Sequence, residues 1–419
     1  MNIEKVKKYY IANRLVFNCG LLAILFFVNC FVPKFSYLAF FLVLVAIIFD
    51  KSQYGFSYLV FCVPFCGIDD YLGVYLLFGC VLAFLIKNYI IMLFFDKKRF
   101  SLYVLLSILA FTIYSLLPIG EYNSMLVLKL GISVGLVLLI YLFTNYKETL
   151  NLKFNLNVLA IGLIISAGFY LTYFVSPYIH DKVLWGMGED FIRFSALLMN
   201  PNALAMICEI SLSLLTIFLL QNKFEWNDII AYIIFAVLGL STFSKTFMIL
   251  FGILLLILLG YLIRRYKWKI TWLIVLICVV LILMVVVKGD FLSTYLNRFV
   301  GGWGTDMKGN NKFIDIMTTG RYKLWTTVVT YMFENPIVIV FGRGFGAGLV
   351  ASMSAHNFYI SLIYQLGLVG SLLFVLMFVM LIVDYKLKNP ESKFKYSYLV
   401  PIVVLGLLMM VEDLFLYVY

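Results

Sequence analysis

Residues 356–384 read HNFYISLIYQLGLVGSLLFVLMFVMLIVD, and residues 358–383 within them contain no Asp, Glu, Lys or Arg. A helix needs about 20 predominantly apolar residues to cross the hydrocarbon core of a bilayer. This run is long enough to span a membrane and has no charged face to turn towards water. It therefore predicts a transmembrane helix.

The same composition extends along the whole chain. Of its 419 residues, 64% are hydrophobic and 13% are charged, whereas soluble domains are about half apolar and one quarter charged. Hydropathy predicts about 12–14 spans, because Pro64 makes the short run 54–67 ambiguous. The sequence thus predicts an all-α polytopic membrane protein with one transmembrane domain over residues 1–419. Its apolar runs are approximately 15–32, 36–49, 54–67, 71–95, 100–118, 125–145, 157–175, 203–220, 228–243, 247–263, 270–287, 356–384 and 398–416.

The basic residues set the orientation of the chain. The net charge of +11 does not indicate nucleic-acid binding, because the basic residues are distributed between apolar runs. With a cytoplasmic N-terminus, short basic connections such as 97–99 and 264–269 fall on the cytoplasmic side, as the positive-inside rule requires. The run 15–32 follows a basic start without a small-residue cleavage site, so we interpret it as a retained span.

The longest polar stretch, residues 288–355, is predicted to be a large external loop. Loops of this length in compact proteins are usually functional or disordered, and this one is not of low complexity. Within it, Tyr322–Phe333 (YKLWTTVVTYMF) has the mixed apolar and polar spacing of an amphipathic helix that lies on a bilayer. We expect this loop to carry part of an active site.

His356 and Asn357 lie where this loop meets the next span. Histidine is rare here, since the only other one is His180, and its unperturbed pKa lies near neutrality, as a general base requires. The alternative is that the His-Asn pair only caps the helix, because Asn is a favoured cap. The nearby Gly344 and Gly346 either support the site or simply permit a tight turn.

Four cations are candidates for binding phosphate on the outer side. Arginine forms bidentate contacts with phosphate, and a lysine near a span is usually functional or paired. The alternatives are attraction to lipid headgroups and, for the lysine, an exposed turn. The candidates are Arg193, Arg321, Arg343 and Lys245.

Several kinds of chemistry lack a signature in the sequence. There is no P-loop, and the two histidines and scattered carboxylates lack metal-ligand spacing, so we expect neither a cofactor nor a metal. The seven cysteines all lie in apolar runs and are expected to pack as small hydrophobic residues.

The order of these motifs resembles the O-antigen ligase and polymerase superfamily over about residues 190–375. A His-Asn pair, nine residues and Gly-x-x-Gly form the most specific element, and one departure is the lysine at 245, where the family usually has arginine. The matching elements are His356-Asn357, Gly367 and Gly370; Gly320, Arg321 and Trp325; Asn335-Pro336; Arg193 with Asn200-Pro201-Asn202; and Ser244-Lys245-Thr246.

The resemblance implies a GT-C-like integral-membrane glycosyltransferase of the bacterial inner membrane, with its active site on the periplasmic or extracellular face. Its donor would be an oligosaccharide linked to undecaprenyl pyrophosphate. His356 would be the base, and the four cations would hold the pyrophosphate, supported by Asn202, Asn357 and the glycine turn. Implied partners are membrane lipid, a chain-length regulator and a flippase, and not nucleic acid.

Three functions remain open from the sequence. A polymerase of O-antigen or capsule repeat units is favoured, because the His-Asn motif ends in Gly370-Ser371-Leu372 where ligases often have threonines. The second is a ligase that transfers the glycan to lipid A core in lipopolysaccharide synthesis. The third, of a different class, is a flippase for the same lipid-linked glycan, with Lys87 and Lys129 lining a path. His180 is the alternative base.

Overall fold

The computed structural model describes residues 3–32, 34–96, 100–117, 126–145, 151–174, 176–186, 192–198, 200–221, 225–266, 321–347, 356–391 and 398–410. Five of its helices are long and apolar enough to cross a membrane: Leu72–Phe95, Leu126–Asn145, Leu152–Thr172, Pro201–Leu220 and Phe358–Lys388. Six shorter apolar helices accompany them. The predicted all-α polytopic membrane class is therefore confirmed, while the apolar run 270–287 and the loop residues 288–320 lie outside the described part.

The helices and strands, in chain order, are α1 (Ile3–Val28), α2 (Ser36–Phe49), α3 (Ser52–Cys62), α4 (Tyr71–Ile90), α5 (Leu102–Leu116), α6 (Leu126–Asn145), α7 (Leu152–Gly168), α8 (Pro177–Val183), β1 (Leu184–Gly186), β2 (Ile192–Phe194), α9 (Pro201–Leu220), α10 (Trp226–Ser241), α11 (Lys245–Tyr266), α12 (Arg321–Glu334), α13 (Pro336–Phe341), α14 (Phe358–Lys388) and α15 (Leu399–Met409). A π-helical turn, Ile91–Phe95, extends α4. The two strands pair antiparallel, with Trp185 opposite Arg193.

The chain divides into two compact units, and the first comprises Met1–Phe100 and Gly135–Phe247. Its core is aromatic: Phe26 of α1 stacks on Phe65 with ring centroids 4.4 Å apart and meets Phe40 of α2 edge-on at 5.5 Å. All three rings are buried. Around them α2 packs against α3 and α4, α7 packs against α3, and α9 packs against α10. Offset and edge-on ring pairs of this kind add to the apolar packing.

The second unit comprises Ser101–Val134 and Met248–Val418. Here α5 packs along α14, and α12 and α13 pack against α14 as well. The buried ring of Phe111 on α5 meets Phe345 at 5.8 Å and Phe374 of α14 at 5.7 Å. The aromatic contact with Phe345 anchors the segment that follows α13, which carries the candidate site.

Large apolar side chains remain exposed along the outer helix faces. Phe49 is 83% exposed, Leu256 69% and Leu372 70%. A soluble protein rarely presents contiguous apolar surface of this kind, whereas a bilayer solvates it. The exposure therefore agrees with membrane embedding.

Lys87 caps a helix end in the first unit. Its Nζ donates to the carbonyl of Ile47 at 2.7 Å and to that of Asp50. These carbonyls lie at the C-terminal end of α2, where the last carbonyls of a helix lack partners within it. Lys129 lies half-buried on α6. The six described cysteines are free thiols, in agreement with the sequence, and Cys278 lies outside the described residues.

Candidate active site

In the second unit, α14 is broken at Gly367. This residue has φ +65°, a conformation in which a helix cannot continue, so α14 consists of two helical pieces. The sequence had indicated an uninterrupted span. A break in a membrane helix frees backbone carbonyls that must find other donors. Here the amides of Arg343 and Gly344 donate to the carbonyls of Tyr364 and Gln365, at 2.8 and 3.0 Å.

The glycine turn of residues 342–346 fits into this break. Gly342, Gly344 and Gly346 all have positive φ, between +77° and +118°, so the tight-turn interpretation of the glycines is correct. A Cβ on Gly367 would lie 2.4 Å from the amide nitrogen of Gly342. The amide of Gly346 also donates to Oε1 of Gln365, at 3.0 Å. Hydrogen bonds from the backbone amides of the turn therefore hold it to the broken helix.

Tyr114 of α5 supports the same joint. Its hydroxyl oxygen lies 2.7 Å from the carbonyl oxygen of Phe341 and 2.8 Å from that of Leu366, so one proton is shared between the turn and the break. Gly370 makes room for the tyrosine, because a Cβ there would lie 2.3 Å from Cε1 of its ring. The two glycines of the Gly-x-x-Gly motif therefore have separate roles: Gly367 breaks the helix and Gly370 accommodates Tyr114.

Arg343 projects from the glycine turn with a fixed side chain. Its Nη1 donates to the hydroxyl of Tyr364 at 2.9 Å, and its guanidinium carbon lies 5.3 Å from the centroid of the Tyr331 ring. Tyr364 is fully buried, whereas Arg343 is half-exposed. A guanidinium held by a buried support loses little side-chain entropy when it contacts a ligand.

His356 immediately precedes the helix cap of α14. Asn357 is that cap, because its side-chain oxygen accepts from the amide of Ile360 at 3.1 Å. His356 has φ +47°, in the left-handed region that non-glycine residues seldom adopt and that is often found at functional positions. Its ring is half-buried. The capping interpretation thus holds for Asn357.

Arg321 is the first residue of α12, and it is half-exposed. The predicted amphipathic helix is present here as α12. Its buried side, Val328 and Met332, packs against Tyr364 in an apolar cluster. The same tyrosine therefore contacts α12 and supports Arg343. The external position of this segment and its contact with lipid stay predictions.

In the first unit, Arg193 is buried and forms hydrogen bonds to two other parts of the chain. It is 4% exposed, its Nε donates to the carbonyl of Thr242 at 2.8 Å, and its Nη2 donates to Oδ1 of Asn202 at 2.8 Å. Asn200 caps α9 by accepting from the amide of Asn202. Asn202 is thus a partner of Arg193, and the Arg-Asn-Pro-Asn segment forms one connected structure.

Lys245 begins α11, directly after a turn in which Phe243 has φ +51°. The polar break between the two apolar runs is confirmed as this turn. Ser244 donates its amide to Oγ1 of Thr242 at 3.2 Å, so the turn is closed by its own side chains. Because Arg193 binds the carbonyl of Thr242, it fixes the backbone that presents Lys245.

His180, the alternative base, is packed against the protein. It is 8% exposed, Nδ1 lies 2.6 Å from the carbonyl oxygen of Tyr170, and the two rings are 4.8 Å apart. This is the environment of a satisfied core histidine. Among the described residues, no group of three His, Cys, Asp or Glu is placed to hold a metal ion.

Sequence reasoning did not find Tyr114, Tyr331 or Tyr364. The chain contains 29 tyrosines, and nothing in their local sequence distinguishes these three. In the second unit, Arg343 contacts Tyr331 and Tyr364, and Tyr114 binds the backbone next to the glycine turn that carries Arg343. In the first unit, Arg193 contacts Asn202 and the turn before Lys245.

The comparisons with known proteins agree with the resemblance found in the sequence. Residues 230–375 match the model of the family described as O-antigen ligase. This range runs from α10 into α14 and contains Lys245, Arg321, Arg343 and His356, while Arg193 lies before it. No curated protein and no solved structure matches the chain.

Proposed function

We propose, from the O-antigen ligase family domain at residues 230–375, that this protein is a polysaccharide repeat-unit polymerase of the bacterial inner membrane. The domain is of the ligase and polymerase type, whose members are glycosyltransferase-like enzymes. As a GT-C-like enzyme it would transfer the growing glycan from undecaprenyl pyrophosphate to a hydroxyl of a lipid-linked repeat unit at the outer leaflet.

One observation carries the proposal: α14 holds His356 before its N-terminal end and Arg343 at its break. Asn357 and Tyr364 are seven residues apart, about 10 Å at the helical rise of 1.5 Å per residue. The cap at Asn357 and the backbone bonds at Tyr364 fix both ends of this short helix. The two residues are thus attached to opposite ends of one short helix, an arrangement that suits a reaction in which a sugar ring lies between the acceptor hydroxyl and a pyrophosphate.

The reaction is a single displacement with inversion at the anomeric carbon. His356 takes the proton of the acceptor hydroxyl, and the hydroxyl oxygen attacks the anomeric carbon of the donor. The bond between that carbon and the pyrophosphate oxygen breaks, and the pyrophosphate leaves with the electron pair. Cations placed in advance lower the barrier, because negative charge grows on the leaving group. The imidazolium then releases its proton to water.

Arg321 and Arg343 are the cations best suited to contact the pyrophosphate, since both are half-exposed in the same unit. Lys245 belongs to the first unit and stays a candidate from the sequence alone. For Arg193, burial and two internal hydrogen bonds support a role in holding the turn that presents Lys245. This refines the expectation that Arg193 itself grips the phosphate.

The ligase is the second candidate, favoured because the matching family is described as O-antigen ligase. It uses the same donor and the same displacement, and only the acceptor differs. A flippase is less well supported, because Lys87, one of the two lysines expected to line its path, is engaged by backbone carbonyls.

The test is an acceptor comparison with the purified full-length protein in detergent. The donor is a synthetic undecaprenyl-pyrophosphate repeat unit, with a chelator present, and products are separated by chain length. A ladder with the repeat unit alone supports the polymerase. A single product that appears only with lipid A core supports the ligase. No new glycosidic bond with either acceptor contradicts both enzymes and leaves the flippase, which is assayed by translocation across vesicles.

A further inference from the structure

Just before the break in α14, three consecutive carbonyls accept hydrogen bonds from outside the helix, those of Tyr364, Gln365 and Leu366. Backbone amides of the glycine turn satisfy the first two. The third is met by the hydroxyl of Tyr114, which also contacts the carbonyl of Phe341 at the start of the turn. Tyr114 is therefore the side chain that joins the turn to the break from outside both.

Tyr364 binds the guanidinium end of the Arg343 side chain. Its hydroxyl accepts a hydrogen bond from the guanidinium at 2.9 Å. Its ring is 0% exposed and packs against Val328 and Met332 of α12. The backbone of Arg343 is thus fixed through the joint that Tyr114 closes, and its charged end is fixed by Tyr364.

We propose that Tyr114 and Tyr364 are positioning residues that aim Arg343 at the diphosphate of the donor. The proposal rests on the proposed function, and it adds two residues that bind no substrate themselves. Tyr114 lies outside the region that matches the family model, so the family domain alone does not contain the complete support. An arginine that is free to move would lose part of its interaction with the leaving group, because orientation is a large share of such a contribution.

The matched variants are Tyr114→Phe and Tyr364→Phe, which remove one oxygen each and keep the ring. Tyr359→Phe is the control, because its hydroxyl also donates to a backbone carbonyl, that of Gly406 at 3.1 Å. Among the described residues it forms no hydrogen bond with Arg343 or the glycine turn. The measured quantities are binding of inorganic pyrophosphate by calorimetry and the donor and acceptor KM in the transfer assay.

We expect each test variant to weaken pyrophosphate binding and to raise the donor KM roughly 10-fold. Tyr364→Phe removes a hydrogen bond to the charged guanidinium, and Tyr114→Phe removes the donor that two backbone carbonyls share. The acceptor KM and the Tyr359→Phe control should not change. In double variants with Arg343→Ala, neither tyrosine change should weaken binding further, since residues that act through one another are non-additive.

Three results overturn the inference: wild-type protein that binds no pyrophosphate, tyrosine variants that bind it normally, or losses that add to that of Arg343→Ala. A wild-type protein that binds pyrophosphate through Arg343 and both tyrosines but forms no glycosidic bond contradicts only the proposed function. If Tyr114→Phe does not fold, the result for Tyr364→Phe tests the inference, since the Tyr364 hydroxyl contacts the side chain of Arg343.

Discussion

Nε of Arg193 and the carbonyl oxygen of Thr242 form a 2.8 Å hydrogen bond between positions 49 residues apart. Through this bond and the one to Asn202, a single guanidinium connects β2, the first turn of α9 and the turn between α10 and α11. Its burial makes it a structural joint next to the turn that precedes Lys245.

Arg193→Lys should lower both stability and activity. Lysine has no planar fork and cannot bind Thr242 and Asn202 with the same geometry, so loss of a buried charged hydrogen bond should cost about 1–3 kcal/mol. Thermal unfolding in detergent checks this. Arg264→Lys, at an exposed residue of α11, is the control and should leave the unfolding temperature unchanged. Equal unfolding temperatures for both variants would contradict the structural role of Arg193.

Gly367→Ala should destabilise the second unit by about 3 kcal/mol. Its backbone, with φ +65° and ψ −175°, lies in a region almost restricted to glycine, and the new Cβ would lie 2.4 Å from two backbone atoms. Gly252→Ala in α11 is the control, because a Cβ there meets nothing within 4 Å and alanine favours a helix. In denaturant unfolding, the unfolding midpoint should fall for Gly367→Ala and rise for Gly252→Ala. An unchanged midpoint for Gly367→Ala would contradict the break in α14.

Lys153→Met should destabilise the first unit. Lys153 Nζ lies 2.9 Å from Asp228, which is 0% exposed, and 2.9 Å from Glu225, whose side chain is 72% exposed. Removal of one partner from a buried pair costs about 3 kcal/mol. Glu225→Gln is the control within the same cluster, and we expect a change below about 0.5 kcal/mol, as for exposed pairs. Equal losses of stability in Lys153→Met and Glu225→Gln would contradict the expectation that the buried pair contributes more than the exposed one.

Glu209→Met should stabilise the protein. Glu209 lies in the span α9, is 0% exposed, and neither carboxylate oxygen has a hydrogen-bond partner among the described residues. A buried polar group without a partner costs about 1–3 kcal/mol, which a methionine of similar volume would recover. The temperature of thermal unfolding should therefore rise. A downward shift would show that the carboxyl is satisfied within the native protein.

Much of the fold could be predicted, because lipid solvation leaves a strong signal in the sequence. The run 36–49 coincides with α2, and 203–220 begins two residues after the start of α9. The prediction was less accurate for α7, which begins at Leu152, five residues before the apolar run. The reason is local: Asn151 caps the helix by accepting from the amide of Phe154, and the polar residues of the first turn, Lys153 and Asn155, conceal it.

The site was only partly predictable. Residue type and position indicated His356 and Arg343, and glycine content indicated the turn. The break in α14 was not predicted, because an isolated glycine inside an apolar run is compatible with a continuous helix. The tyrosine supports depend on contacts between positions more than 200 residues apart, such as Tyr114 and Phe341, which no local pattern records.

The central claim is that His356 removes the acceptor proton in a glycosyl transfer from undecaprenyl pyrophosphate. The most direct measurement is the rate of oligomer formation by wild-type protein and by His356→Asn, with folding checked by thermal unfolding. Asparagine tolerates the left-handed backbone of this position, so the change removes the base and spares the turn. We predict a rate about 10²–10⁴-fold lower at an unchanged unfolding temperature. A folded His356→Asn that elongates at the wild-type rate would contradict the mechanism.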